Sequence, residues 1–330
     1  MQLLMNKMKR AFLLFLVWLS FSCKNEANKN RSYVPESSGN INYVTVVMSQ
    51  RDWNSTLGEK VKEGLQKIYE GLPLDEPQFS LVYMNPNSFS GFARQNRNIV
   101  WFRKDSLEGF RISQNQFAKP QILATITGID VERQAFYFKE NTDLLKRTII
   151  ENERKEKLRR IMKSPTTEKT LLNRLGIELI YPSAYKTFKD TTNFVWIQKE
   201  VQKGHLNIIA YTLDEKALEG ILNKRILNIR DSIGKEYVPG RLKGSYLITE
   251  RAFRPYYYRT ELDGKQTYLT KGTWEVANDF MAGPFVNYMI QDTINRKILA
   301  IEGFVFAPTA KKRDYMFELN TIINTLKQVD

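Results

Sequence analysis

Four acidic residues gather around a dense aromatic stretch in the last third of the sequence. They are Glu250, Glu275, Asp279 and Glu302, with Trp274 and Phe280 among them. In glycoside hydrolysis a pair of carboxyl groups flanks the scissile bond, one giving a proton and the other acting as base or nucleophile. An apolar neighbour such as Trp274 or Phe280 raises the pKa of such an acid and suits it to proton donation. This pattern supports one expectation, an envelope hydrolase acting on glycan or peptidoglycan. The competing reading pairs each acid with one of the chain's many Arg and Lys. A second group is Arg254-Pro255-Tyr256-Tyr257-Tyr258-Arg259, with Tyr268 and Trp274 nearby. It could line a groove for a sugar or peptide, although strand alternation lets at most half of it face one side. The binding candidates are therefore Arg254, Tyr257, Trp274, Glu275 and Asp279.

Other chemistries lack their residues. His205 is the only histidine. One histidine satisfies a Ser-His-Asp triad, but no Gly-x-Ser-x-Gly elbow is present to hold a nucleophile. Between Gly204 and a strand, His205 reads as a loop residue. No histidine-zinc set, phosphate-binding glycine loop or calcium loop occurs, so no metal and no cofactor is expected. No catalytic residue is assigned.

Cys23, the only cysteine, closes a segment with its own logic. Lys7, Lys9 and Arg10 form a positive start, and residues 11–21 (AFLLFLVWLSF) an apolar run. Small residues then precede Cys23, and the chain turns polar at Lys24. That order is a secretory signal, and the run is too short to span a bilayer, which takes ~20 apolar residues. The position of Cys23 resembles a bacterial lipobox cysteine, which is diacylated and becomes the new N-terminus. Two or three acyl chains hold a protein stably at a membrane where one does not. Lys24 after the cysteine favours the outer membrane, and no disulfide is then available. Residues 24–40 read as a flexible polar tether.

The formal charge of +14 over 330 residues is basic even without the signal. The cations are spread along the chain, and no nucleic-acid-binding motif accompanies them, so no nucleic acid is expected. An anionic glycan or lipid, or an envelope protein, is the expected partner beyond the membrane itself.

The elements that position these residues follow from periodicity. Runs 41–48, 78–84, 98–103 and 121–128 are β-branched and read as strands. A helix with Ser49 as N-cap follows the first and runs to Pro73. Residues 141–163 read as a helix whose 151–157 stretch (ENERKEK) holds no apolar residue. Solvated, it would connect two halves; Arg154, Lys155, Arg159 and Arg160 would give it a basic docking face. Beyond Ser164-Pro165 come strands at 177–181, 194–201 and 206–213 and a helix capped by Asp214. Asp263-Gly264 is a hairpin turn among strands 245–250, 256–262, 266–270, 272–277, 284–291 and 297–306. A final helix covers 310–327. The class expected is α+β, antiparallel sheets covered by helices, with two halves (41–163 and 164–330) joined by a long charged helix.

Several phrases are distinctive as a set: Phe194-Val195-Trp196, Tyr237-Val238-Pro239-Gly240, Gly272-Thr273-Trp274-Glu275, Asp279-Phe280-Met281-Ala282-Gly283-Pro284-Phe285-Val286 and Glu302-Gly303-Phe304-Val305-Phe306-Ala307-Pro308. With Leu72-Pro73, Glu76-Pro77 and Ala118-Lys119-Pro120-Gln121 they resemble a family of Bacteroidetes lipoproteins carrying a domain of unknown function. The resemblance spans nearly the whole mature chain. It implies a lipoprotein and a phylum, and brings no reaction. The second half is also similar in layout to the α/β/α sandwich of the photosystem-II oxygen-evolving-subunit and Mog1 type. The leading expectation is a non-enzymatic, lipid-anchored binding or assembly module of the envelope, with the hydrolase as the alternative.

Overall fold

Short β-branched runs build the first sheet. In the computed structural model, which describes residues 33–329, these are β1 (Tyr43–Val47), β2 (Ser80–Met84), β3 (Asn98–Lys104), β4 (Gly109–Gln114) and β5 (Ile122–Gly128). The signal at 1–23, Cys23 and the tether up to residue 32 lie outside the described residues. The strand order is β2-β1-β3-β5-β4, parallel except for β4 on β5. Sequence led to antiparallel sheets; this one is mixed, because α1 (Gln50–Trp53), α2 (Thr56–Leu65) and long loops carry the chain back between strands. The expected single helix after β1 is two: Ser49 caps α1 and Ser55 caps α2. Alternation splits the sheet's faces. Val44, Val46 and Met48 pack under helices, while Val47, Ile99 and Leu123 pack with Phe89 beneath the 85–97 loop.

Helix α3 (Val131–Ile161) starts ten residues before the expected 141, where the Asp130 carboxylate accepts from Arg133 N at 2.8 Å. Its Phe138, Leu145 and Ile149 lie on the first sheet. The stripe then continues in polar residues: Asn152, Glu153 and Glu156 are 8, 0 and 1 % exposed. The expected solvated stretch is thus corrected, since two of its three glutamates, Glu153 and Glu156, are among the least exposed side chains in the fold, while Glu151 is exposed. Beyond it lie α4 (Thr170–Leu175), the small pair β6 (Ile177–Glu178) with β15 (Lys327–Gln328), and the second sheet.

That sheet runs β10-β12-β13-β14-β9-β8-β7, antiparallel throughout, with β11 beside β12. Its strands are β7 (Lys186–Asp190), β8 (Phe194–Val201), β9 (Gly204–Asp214), β10 (Tyr246–Thr249), β11 (Tyr256–Leu262), β12 (Lys265–Ala277), β13 (Asp279–Asp292) and β14 (Lys297–Phe306). Asp214 caps a 3-10 turn at Glu215–Leu218, and α5 (Leu222–Tyr237) begins only after Gly220 takes a φ of 104° that breaks the chain direction. Helix α5 covers one face with Ile226 and Leu227. On the other face α4 and α6 (Arg313–Ile323) bury Leu171, Leu319, Ile322 and Ile323. Each such side chain contributes about 1.5–3 kcal/mol by burial. The class is α+β. Among the described residues no helix is long and apolar enough to cross a membrane.

Residues Pro35–Asp330 group as one unit, in which Glu153 fastens α3 to the first sheet while Glu76 and Glu318 link the first half to the second. Glu153 accepts from Arg97 Nε at 2.5 Å, Asn98 Nδ2 at 2.6 Å and Asn42 N at 2.7 Å. Glu76, before β2, accepts from Lys312 N and Arg313 N at 2.7 and 3.1 Å at the start of α6. Glu318 takes Lys157 of α3 at 3.1 Å, the Tyr185 hydroxyl at 3.1 Å, and Lys199 of β8. Burial pushes the Glu318 carboxyl up, but Lys157 and Lys199 outweigh that and hold it below the ordinary range.

Candidate functional site

Of the four acids singled out by sequence, Glu250 and Glu275 come together and the other two do not join them. Trp274 is 1 % exposed and packs on Phe304 and Phe306 inside the core, so it lines no groove. Gly283 opposite is required there: an added Cβ would strike the Val305 carbonyl and the Trp274 indole. Asp279 is taken by Arg241, which donates from Nε at 3.0 Å and Nη2 at 2.7 Å; that bond holds the acid below its usual range. Glu275 is raised by partial burial and then by the Glu250 carboxyl next to it. Glu302 is fully buried in a two-bond pair with Arg230, at 2.9 Å each, and accepts from Asn287 Nδ2 at 3.0 Å. Burial raises the Glu302 carboxyl, and Arg230 and Asn287 offset part of that. So Glu275 meets Glu250, while Asp279 and Glu302 each hold an arginine.

The aromatic group fares differently. β11 and β12 pair Tyr257 with Thr270 and Arg259 with Tyr268. With Leu222 and Ile226 of α5 these line a cavity of about 350 Å³. Tyr257 is raised by burial and lowered in part by Arg251 and Arg254, so Arg254 stands near it at the surface. His205 is the second residue of β9, paired with Phe306, and not in a loop. Among the described residues no three His, Cys, Asp or Glu side chains gather as a metal centre requires.

A site that sequence reading missed runs along α3. Helix α2 can lie close to α3 because Gly64 sits against Phe138 and Thr142, where a Cβ would crowd the ring. Beside that crossing is a cavity of about 500 Å³ lined by Lys60, Lys67, Lys139 and Lys146. Lys67, Asp143 and Lys146 also line a second cavity of about 390 Å³, so the two form one groove. The second adds Arg147 and Arg154 of α3 and Lys271 of β12, over an apolar floor of Ile68, Ile150 and Phe317. Gly71, with φ 83°, lets the loop after α2 press against Lys271 and Gly272.

The groove's charge is unbalanced. Seven cationic side chains line it against Glu63, Glu70 and Asp143. Two of the acids are occupied: Glu70 accepts from Lys271 at 3.0 Å and Tyr258 OH at 2.7 Å, and Asp143 pairs with Lys146 at 2.7 Å. Burial raises Glu70, but those two bonds hold it below its ordinary value, while burial and Glu70 push the Tyr258 hydroxyl up to about 12. Lys60, Lys67, Lys139, Arg147 and Arg154 have no ion-pair partner among the described residues. Cations gathered in a concave site over low-dielectric side chains focus their field on an anion more strongly than the same charges spread over a surface. Of the basic docking face expected from Arg154, Lys155, Arg159 and Arg160, only Arg154 lines this groove. Arg159 and Arg160 each bond Glu156 at 2.7 Å. The spacing Lys139, Lys146, Arg147, Arg154 along a single helix was the available signal; Lys60, Lys67 and Lys271 were not connected to it by any local pattern.

Comparison with known proteins gives families without an assigned reaction. Residues 37–162 match a model described as Domain of unknown function (DUF8532), and residues 164–325 match Domain of unknown function (DUF4837). Together the two span most of the chain. No curated protein matches it. Among solved structures, the Saccharomyces cerevisiae Ran-binding protein Mog1p is similar at 12 % identity over 47 % of this chain and 91 % of its own, with a TM-score of 0.30. LpqN, involved in cell envelope biogenesis of Mycobacterium tuberculosis, is similar at 11 % over 47 % and 83 %, also at 0.30. Likeness of that degree carries no functional argument, which rests on the residues above.

Proposed function

We propose that the protein is a lipid-anchored binding module of the cell envelope that takes an anionic, phosphate-bearing ligand in the groove along α3. The observation that carries this is the set of five unpaired cations lining two continuous cavities. Phosphate groups, on a lipid headgroup or a glycan, match it by charge and by hydrogen bonding to Arg147 and Arg154. The apolar floor suits a ligand with a non-polar part. The anchor rests on the order of charged, apolar and small residues before Cys23, which agrees with the Bacteroidetes lipoprotein resemblance, and Lys24 after the cysteine supports the outer membrane as its location.

The experiment is calorimetric titration with inositol hexakisphosphate as phosphate probe and myo-inositol as neutral control. Binding of the first alone, weakened at least about tenfold in R147E/R154E and by added salt, supports the reading. Equal affinity in that variant sinks it. The anchor is tested separately by Cys23→Ala, which should release the protein from the membrane fraction and remove the acyl mass.

A further inference from the structure

Within the Asp279-Phe280-Met281 phrase, Phe280 has a full side chain in solvent, at 105 % relative exposure. It sits at the tip of the β12–β13 hairpin, where Asn278 takes a left-handed φ of 64° and the register shifts after Glu275. The tip is held firmly. Asp279 accepts from Phe280 N at 2.8 Å and from both nitrogens of Arg241, which tie the hairpin to the loop before β10. An ion pair at the surface adds little to stability. This one ties the tip that carries Phe280 to the loop that carries Leu242, a side chain 55 % exposed beside Arg241. Cations frame them. Lys243 is exposed next to Leu242, and Lys235 of α5 stands 5.6 Å over the ring of Tyr246, whose strand partner is Ala277 at the base of the tip.

We infer that this hairpin tip docks on a bilayer, with Phe280 and Leu242 entering the headgroup–acyl boundary and Lys235 and Lys243 facing anionic lipid phosphates. A rigid convex aromatic tip with a cationic frame fits a deformable anionic surface. A protein hot spot instead lies in a well-packed pocket ringed by neutral contacts. Stable membrane attachment takes two signals, and a docked tip would supply one besides any acyl chain. The inference stands apart from the groove, since none of these residues lines it.

The test is flotation of the compact unit Pro35–Asp330, which carries neither Cys23 nor the apolar N-terminal run, with vesicles of phosphatidylglycerol and phosphatidylcholine. The unit should float with the anionic vesicles and less with pure phosphatidylcholine. Phe280→Ser should cut the bound fraction by about tenfold, given the apolar area it removes, with an unchanged melting temperature because the side chain touches nothing. The Lys104→Glu variant, which alters an exposed cation belonging neither to the tip nor to the groove, should float like the wild type. Flotation lost in R147E/R154E and kept in Phe280→Ser would overturn the inference and leave the groove reading standing. Failure of the wild-type unit to float at all would also overturn it.

Discussion

Helix α3 carries charge in two conditions. At its C-terminal third, Glu153 is 0 % exposed and saturated by Arg97, Asn98 and the Asn42 backbone. Along the same helix Lys139, Arg147 and Arg154 line cavities without an ion-pair partner among the described residues. A charge taken out of water must be matched bond for bond or it unfolds the site. A charge left unmatched at a groove mouth costs the fold almost nothing and is free to meet an external anion. The first arrangement fastens α3 to the first sheet; the second is what the proposed ligand would meet.

The sharpest way to break that comparison is to exchange the roles. Glu153→Ala should cost about 3–5 kcal/mol in urea unfolding, because Arg97 is left buried and uncompensated. A loss under about 1 kcal/mol would mean that water reaches the joint. R147E/R154E should change stability by less than about 1 kcal/mol, since surface substitutions away from packed features rarely do more. Its effect should fall on affinity for the phosphate probe. A destabilised variant would reassign these arginines to the fold.

Two titrations sharpen it further. The Glu318 carboxyl is held below its ordinary value, so its contribution is present above the unfolded value near ~4.3 and is lost as pH falls through the lower folded value. Glu318→Gln should therefore be less stable than wild type at neutral pH, with the gap closing below about pH 4. Glu275 runs the other way. Its folded pKa is raised by burial and Glu250, so its contribution is present below the unfolded value and is lost as pH rises through the folded one. Glu275→Gln should stabilise by under about 0.5 kcal/mol at neutral pH, after solvent screening, and by nothing once both acids are protonated. Thermal melts across that pH range check both.

Much of the fold was legible in the sequence because its signals are local. β-Branched runs placed β1, β3, β5 and β8, Asp263-Gly264 placed the β11–β12 hairpin, and the spacing of Leu319, Ile322 and Ile323 placed α6. Strand direction in the first sheet was not legible, since that depends on where loops return the chain. The solvated reading of 151–157 failed for a related reason: Glu153 and Glu156 continue the stripe of Phe138, Leu145 and Ile149, and only the partner Arg97, 56 residues away, makes burial possible. The groove was hidden because it joins Lys60 and Lys67, the α3 cations, and Lys271, which no window of sequence contains together. Trp274 misled because a tryptophan in a distinctive phrase reads equally as ligand platform or core, and Gly283 opposite it settles the matter only in three dimensions.

The most direct test is hydrogen exchange of the protein with and without inositol hexakisphosphate. The account predicts slowed exchange at residues 60–70 and 139–154 and none at 221–270, where the aromatic cavity lies. Protection confined to 221–270, or none anywhere at saturating probe, would contradict it.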